Sequence, residues 1–447
     1  MRLTGPSLAF VAVLLLALSG CSSRDDGATV TPAPGGEDEA TAAARSTPGG
    51  GGGSGTFAPL PPALQQVLDD VAKVRQLSPP PSLRAEVVKR SELPALLDRL
   101  LTAEDRQSFA QTTTFYRLLG HLRNDQDFLS VYRSFGSGSI LGLYSPQDDQ
   151  FWVVQEDNDS GGFDNLSRGQ KETLAHELVH ALQDYHFKLD EVYERTADNL
   201  DINLAWTAVV EGDAVAHEEA YTRAHLASPR GSGLFFAADA ALQAPDVPPS
   251  IARELFFPYT TGTDWLKGVL RSKGLDAVNR MLVDPPKGTA FVLHPELADQ
   301  GWQPQEVKLP ELGLALGSGW QRESGGSWGE FGISNYLRLQ LSAADARGAA
   351  AGWAGDHYDV YAQGAQSVAL FRLAFRDAAE AGEFARRHEE FLVGIRRDGT
   401  TTDGATLHTM ADGDVTATAG ASGNEVVFAI GSSAGLAQAA LEAALRA

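Results

Sequence analysis

The run Lys-Glu-Thr-Leu-Ala-His-Glu-Leu-Val-His-Ala-Leu-Gln-Asp at positions 171–184 constrains what this chain can fold into more than any other stretch. Leu174, Leu178, Ala181, Leu182 and Tyr185 recur at helical spacing, and Ser167 with Gln170 three residues on reads as a capping box. The pattern therefore predicts a helix that starts near 167. His176 and His180 then stand at i and i+4, so their imidazoles leave one face about one turn apart, the separation a single Zn²⁺ needs. Glu177 points toward the same cleft from about a hundred degrees round the helix from His176. There it can polarise a water on the metal without ligating the metal itself. The apolar stripe beside the histidines sets them at the border of a buried surface, where a polar pair needs a reason.

A catalytic zinc site takes three protein ligands and keeps a fourth position for water, so another ligand has to come from elsewhere in the chain. The metzincin continuation is absent, because position 183 is Gln and the next histidine is His186. His186 sits about 120 degrees round from His180 if the helix continues. Glu211 is the better candidate. A mostly apolar helix of roughly 25 residues would carry it amid Ala208, Val209, Val210, Ala214 and Val215, where an unpaired carboxylate is costly. Gly212 beside it marks a bend or a close helix contact. Glu218 and Glu219 are rivals two turns further on, in a polar stretch of the kind that is usually a solvated face.

His176, Glu177, His180 and Glu211 together resemble the gluzincin group of zinc metallopeptidases, whose third ligand is a glutamate on a second helix downstream of the motif helix. More narrowly, the chain is similar to a set of bacterial secreted proteins and lipoproteins. The shared marks are Ala-His-Glu-Leu-Val-His-Ala-Leu-Gln-Asp, Val-Glu-Gly-Asp-Ala, Phe-Pro-Tyr-Thr-Thr-Gly at 257–262, Pro285-Pro286, His294-Pro295-Glu296 and Gly-Trp-Ala-Gly-Asp at 352–356. The similarity implies a zinc site of His176, His180 and Glu211 with Glu177 as the base. It also implies an edge strand upstream of the motif helix that holds an extended substrate by backbone pairing, a role assigned to 150–154. One departure matters: thermolysin-type gluzincins carry an Asp four residues after the ligand Glu to orient a ligand histidine, and here that position is Val215. Asp213 lies on another helical face, and Asp184, one turn after His180, is the alternative partner for it. Tyr259, His294, Tyr185 and Arg253 are candidate donors to an oxyanion.

Arg2, the apolar run 8–18 and Leu-Ser-Gly-Cys ending at Cys21 resemble a bacterial lipoprotein signal, in which Cys21 is lipidated and becomes the first mature residue. The apolar run is too short for a comfortable transmembrane helix. Cys21 is also the only cysteine, which excludes disulfides within the chain and thiolate ligands in the folded body. Residues 21–57, rich in Gly, Ser, Thr, Pro and Ala, read as a flexible tether. With 36 basic against 58 acidic residues the net charge is −22, which argues against a nucleic-acid partner and against adhesion to anionic lipid.

The expected fold class is α+β. A signal at 1–20 and the tether at 21–57 precede a mainly helical zincin-like domain with a small sheet at 58–312 and a small α+β domain at 313–447. From 58 to about 135 the spacing reads as helical, then 140–144 and 150–154 read as strands. Past 310 a helix is followed by elements in the order β-β-α-β-β-β-α, which suggests an antiparallel sheet. The expected function is that of a lipid-anchored zinc metallopeptidase on the extracytoplasmic side of a bacterial envelope, hydrolysing peptide bonds through a zinc-bound water. Two alternatives stay open: a zincin-fold envelope lipoprotein without catalysis that serves as a binding or scaffold module, and a zinc hydrolase of non-peptide substrates. A fourth protein ligand would mark a structural zinc.

Overall fold

Ser167 caps the motif helix Arg168–Phe187 as expected: its hydroxyl accepts from the Gln170 amide and the Gln170 side chain accepts from the Ser167 amide. The computed structural model that shows this describes residues 60–140, 142–145, 150–158, 162–163, 166–226, 246–402, 405–410 and 414–446. Cys21, the signal and the tether lie outside the described residues. The motif helix ends where Lys188 takes a left-handed conformation, φ 54°. Every residue from Glu172 to Asp184 is buried. A helix buried on all sides has to satisfy each of its polar groups from neighbouring elements.

Its main neighbour is the helix Leu200–His225, capped by Asn199, whose side chain accepts from the Ile202 amide. This carboxylate helix is itself buried without interruption from Ala205 to Val215. Two glycines allow another element to approach it closely. A Cβ on Gly212 would stand 3.0 Å from Leu266 Cβ, and one on Gly262 would stand 2.6 Å from Ala208 Cβ. The close helix contact that Gly212 suggested is therefore with the π-helical turn Pro258–Gly262 and the helix Thr263–Lys273 that follows it.

A three-stranded sheet flanks the motif helix: β1 (Arg84–Lys89), β2 (Gly142–Ser145) and β3 (Gln150–Gln155), in the order β1-β3-β2. β1 runs parallel to β3 and β2 antiparallel to it. β3 is paired on both sides, so the edge role assigned to 150–154 is wrong. The edge on the motif-helix side is β2, where a Cβ on Gly142 would stand 2.8 Å from Glu177 Cγ. β1 itself lies in a stretch read as helical. It is short, and Glu86 ties it to β3 by accepting from Gln150 Nε2 and Trp152 Nε1.

The molecule is α+β, with a seven-stranded sheet following the helical region. Its strands are β4 (Gln321–Gly326), β5 (Trp353–Gln363), β6 (Gln366–Phe375), β7 (Arg396–Thr402), β8 (Ala405–Met410), β9 (Val415–Ser422) and β10 (Glu425–Gly431). Their order is β4-β5-β6-β10-β9-β8-β7, antiparallel throughout. β4 and β7 are additions to the expected strand order. Side chains alternate faces along β6 and β10. Phe371, Leu373, Val426, Phe428 and Ile430 join the main core with the helix Ala378–Ile395, while Val368, Leu370, Val427 and Ala429 face the terminal helix Ala434–Arg446. Phe115, on the helix Ala103–Leu118, stacks on Tyr358 of β5 at 4.7 Å, so the core runs without a break from the helical region into the sheet. Among the described residues no helix is long and apolar enough to cross a membrane.

Candidate metal centre

The two buried helices bring three ligand atoms together. His176 Nε2 lies 3.0 Å from His180 Nε2 and 3.2 Å from Glu211 Oε2, and His180 Nε2 lies 3.4 Å from the same oxygen. Zinc bonds of about 2.0–2.1 Å at tetrahedral angles put ligand atoms about 3.3 Å apart, so the triangle fits one face of a zinc tetrahedron. All three residues are fully buried, and among the described residues they are the one His/Cys/Asp/Glu group able to hold a metal ion.

The electrostatics show how strongly the triangle attracts positive charge. Burial alone would loosen the proton on His176, but its bond to Glu211 and the Glu218 carboxylate close by outweigh it and raise its pKa to about 10. Burial would likewise raise Glu211, yet His180 and His176 hold it down at about 2. A cation, whether proton or metal, is what reconciles three buried acceptors at this separation.

Glu177 stands beside the triangle, 1% exposed, and neither of its carboxylate oxygens has a hydrogen-bond partner among the described residues. Burial, opposed by His176 and reinforced by Glu211 and Glu218, lifts its pKa to about 8. Tyr259, from the π-helical turn, lies close enough to feel the Glu211 charge, and its ring lies 6.4 Å from the His176 ring at 29°. Burial and the Glu211 charge push that phenol well above its ordinary pKa, so it remains a donor. π-Turns of this kind are frequent at functional sites.

The outer nitrogens of both histidines face side-chain oxygens, and that of His180 is hydrogen-bonded. His176 Nδ1 faces Glu218 Oε2 at 3.3 Å and His180 Nδ1 faces Gln183 Oε1 at 2.8 Å. Glu218 thus belongs to the site, though not as a ligand; the expectation of a solvated face holds only for Glu219, which pairs with Lys267 at 2.6 Å. Asp184 does not reach His180: it accepts from the Tyr144 hydroxyl at 3.2 Å and the Leu189 amide at 3.2 Å, closing the end of the motif helix. His294 is held by Glu330 at 2.8 Å, Arg253 donates to Asn335, and His186 bonds the Ser78 carbonyl. Tyr185 is 42% exposed. Of the four oxyanion candidates, only Tyr259 is at the triangle.

Gln183 is the residue beside the triangle that sequence reasoning missed, and Glu218 is the one it weighed and set on a solvated face. Gln183 had a signal, since three residues past His180 it shares that histidine's face. Glu218 is seven residues past Glu211, again on one face, but its charged neighbour Glu219 masked the pattern.

Comparison with known proteins touches only the far end of the chain. The profile of a Domain of unknown function (DUF8575) matches residues 319–441, from β4 into the terminal helix, and includes none of the residues of the triangle. No curated protein and no solved structure matches the chain.

Proposed function

We propose that the chain is a zinc metallopeptidase of gluzincin type, held by a lipid on Cys21 at the extracytoplasmic face of a bacterial membrane. The observation that carries the reading is the triangle of His176, His180 and Glu211, with edges of 3.0–3.4 Å, beside an unpartnered buried Glu177. Zinc held there supplies a Lewis acid that lowers the pKa of water and polarises a carbonyl. Glu177 takes the proton of the attacking water and returns it to the leaving amine. Tyr259 is placed to donate to the oxyanion that develops on the scissile carbonyl. An extended peptide would add as a strand at β2, beside Glu177. The anchor rests on the resemblance of the segment before Cys21 to a lipoprotein signal.

Against the reading as a binding module, the described residues offer three ligand side chains and so leave a coordination position, whereas structural zinc is usually closed by four. The test is zinc content and peptide hydrolysis of the full-length chain and of Glu177→Gln. The variant should keep its zinc while hydrolysis falls by about 10²–10⁴-fold. Equal hydrolysis by both proteins sinks the mechanism. Ester and glycan substrates in the same assay decide whether peptides are the substrate class.

A further inference from the structure

A line of buried side chains runs from the outer nitrogen of His180 to the N-terminal helix Pro62–Arg75. Gln183 Oε1 lies 2.8 Å from His180 Nδ1, while Gln183 Nε2 donates to the Val210 carbonyl at 3.0 Å and to Asp213 Oδ2 at 2.8 Å. Asp213 Oδ2 also accepts from Arg75 Nε at 2.8 Å, and Arg75 in turn donates to Asn279 Oδ1 at 2.6 Å. Gln183 and Asp213 are 0% exposed and Arg75 1%, so water cannot substitute for the links between His180 and Arg75.

Donor and acceptor bookkeeping along this line leaves no freedom. A carboxylate and a backbone carbonyl only accept, so the end of the Gln183 amide that faces both of them has to be its NH₂. Its oxygen then faces His180, and an oxygen there requires hydrogen on Nδ1. The lone pair of the neutral imidazole falls on Nε2, the atom that belongs to the triangle. Reversing the amide would set its oxygen against two acceptors and push a hydrogen into the triangle.

We infer that Gln183, locked by the buried Asp213–Arg75 pair, is a positioning residue that fixes the tautomer of His180 and so readies its Nε2 for the metal. The inference rests on the zinc reading for its purpose. Arg75 is 138 residues from Asp213 in sequence, so the line couples the N-terminal helix to the centre.

The test uses the full-length protein with ¹⁵N-labelled histidine, comparing wild type with Gln183→Met, Arg75→Met and Arg75→Lys. In the metal-free wild type, the imidazole ¹⁵N shifts of His180, assigned by their loss in His180→Asn, should report hydrogen on Nδ1. Gln183→Met should move population to the Nε2–H form and weaken zinc binding ten- to a hundredfold in chelator competition. Arg75→Met, which touches neither histidine, should move both readouts the same way by about tenfold in affinity, and Arg75→Lys should recover part of the loss. A purely structural Arg75 would lower stability and leave tautomer and affinity alone. Wild-type shifts and affinity in folded Gln183→Met overturn the inference, and should Arg75→Met fail to fold, Gln183→Met alone decides. If the wild type binds no zinc, the proposed function falls, while the ¹⁵N shifts still judge the tautomer lock separately.

Discussion

Glu177 is held in place as much by what is missing beside it as by what is present. Its carboxylate has no hydrogen-bond partner among the described residues, so its position depends on packing, and the residue packed against it across the gap to β2 is Gly142. A methyl group at Gly142 would stand 2.8 Å from Glu177 Cγ and 3.1 Å from Thr173 Cγ2, both on a buried helix that cannot retreat. The carboxylate would have to swing. Gly142→Ala is therefore expected to lower kcat/KM by about 10²-fold, the usual result of a displacement near 1 Å, with zinc content unchanged. Metal analysis alongside steady-state kinetics checks this, and loss of zinc in step with activity would show that the glycine serves the fold and not the base. The residues of the triangle and the glutamate beside it could be picked out from residue types and spacing, because i and i+4 imidazoles on a helix have one geometry. The roles of Asp184 and Glu218 could not. Both are acids one or two turns from a ligand, and which one meets an imidazole depends on how the two helices are rotated against each other, a tertiary property.

At the scale of elements, the centre exists because the carboxylate helix accepts neighbours at short range. Gly262 is the tightest point: a Cβ there would stand 2.6 Å from Ala208 Cβ and 3.1 Å from Ala208 Cα. The glycine lies in the same π-helical turn as Tyr259, so forcing the two elements apart moves the phenol away from Glu211. Gly262→Ala is expected to cost about 1–3 kcal/mol in urea denaturation, the range for overpacking, and to reduce hydrolysis as well. Adding Ala208→Gly should return most of both losses, giving a coupling energy that distant sites do not show. Additive effects would mean that the two residues do not meet as described. The motif helix was legible from its Ser167 cap and periodic apolar stripe, and the carboxylate helix from its long, mostly apolar run. β1 was not, since its six residues Arg-Ala-Glu-Val-Val-Lys are too few and too charged to separate from helix. β7, Arg-Arg-Asp-Gly-Thr-Thr-Thr, shows no apolar alternation, and it pairs because β8 lies alongside it.

Across the whole molecule, the helical region and the seven-stranded sheet meet at Asp201, in the first turn of the carboxylate helix. Its Oδ1 accepts from the Thr289 amide at 2.8 Å and from the Thr289 hydroxyl, while Cβ atoms on Gly288 and Gly329 would collide with its carboxylate. Gly329 begins the helix Gly329–Leu337, whose first amide, with that of Trp328, is gathered by Asp356 of β5. Burial raises the pKa of Asp201 to about 7; Thr289 opposes the rise, and the charges of Asp356 and Glu330 add to it. The folded protein therefore holds this proton to a higher pH than the unfolded chain, whose Asp ionises near 4. Between those values the native state binds more protons, so stability is greatest at the acid end and falls as pH rises toward 7. Asp201→Asn keeps the acceptor for Thr289 and cannot ionise. Its stability relative to wild type should accordingly rise by about 3 kcal/mol between pH 5 and pH 8, from the two pKa units of that interval that lie below 7. Urea denaturation of both proteins at the two pH values measures the difference directly. A gap that does not change with pH would mean that Asp201 enters the fold already ionised, and that the junction is held by a charge and not by a shared proton.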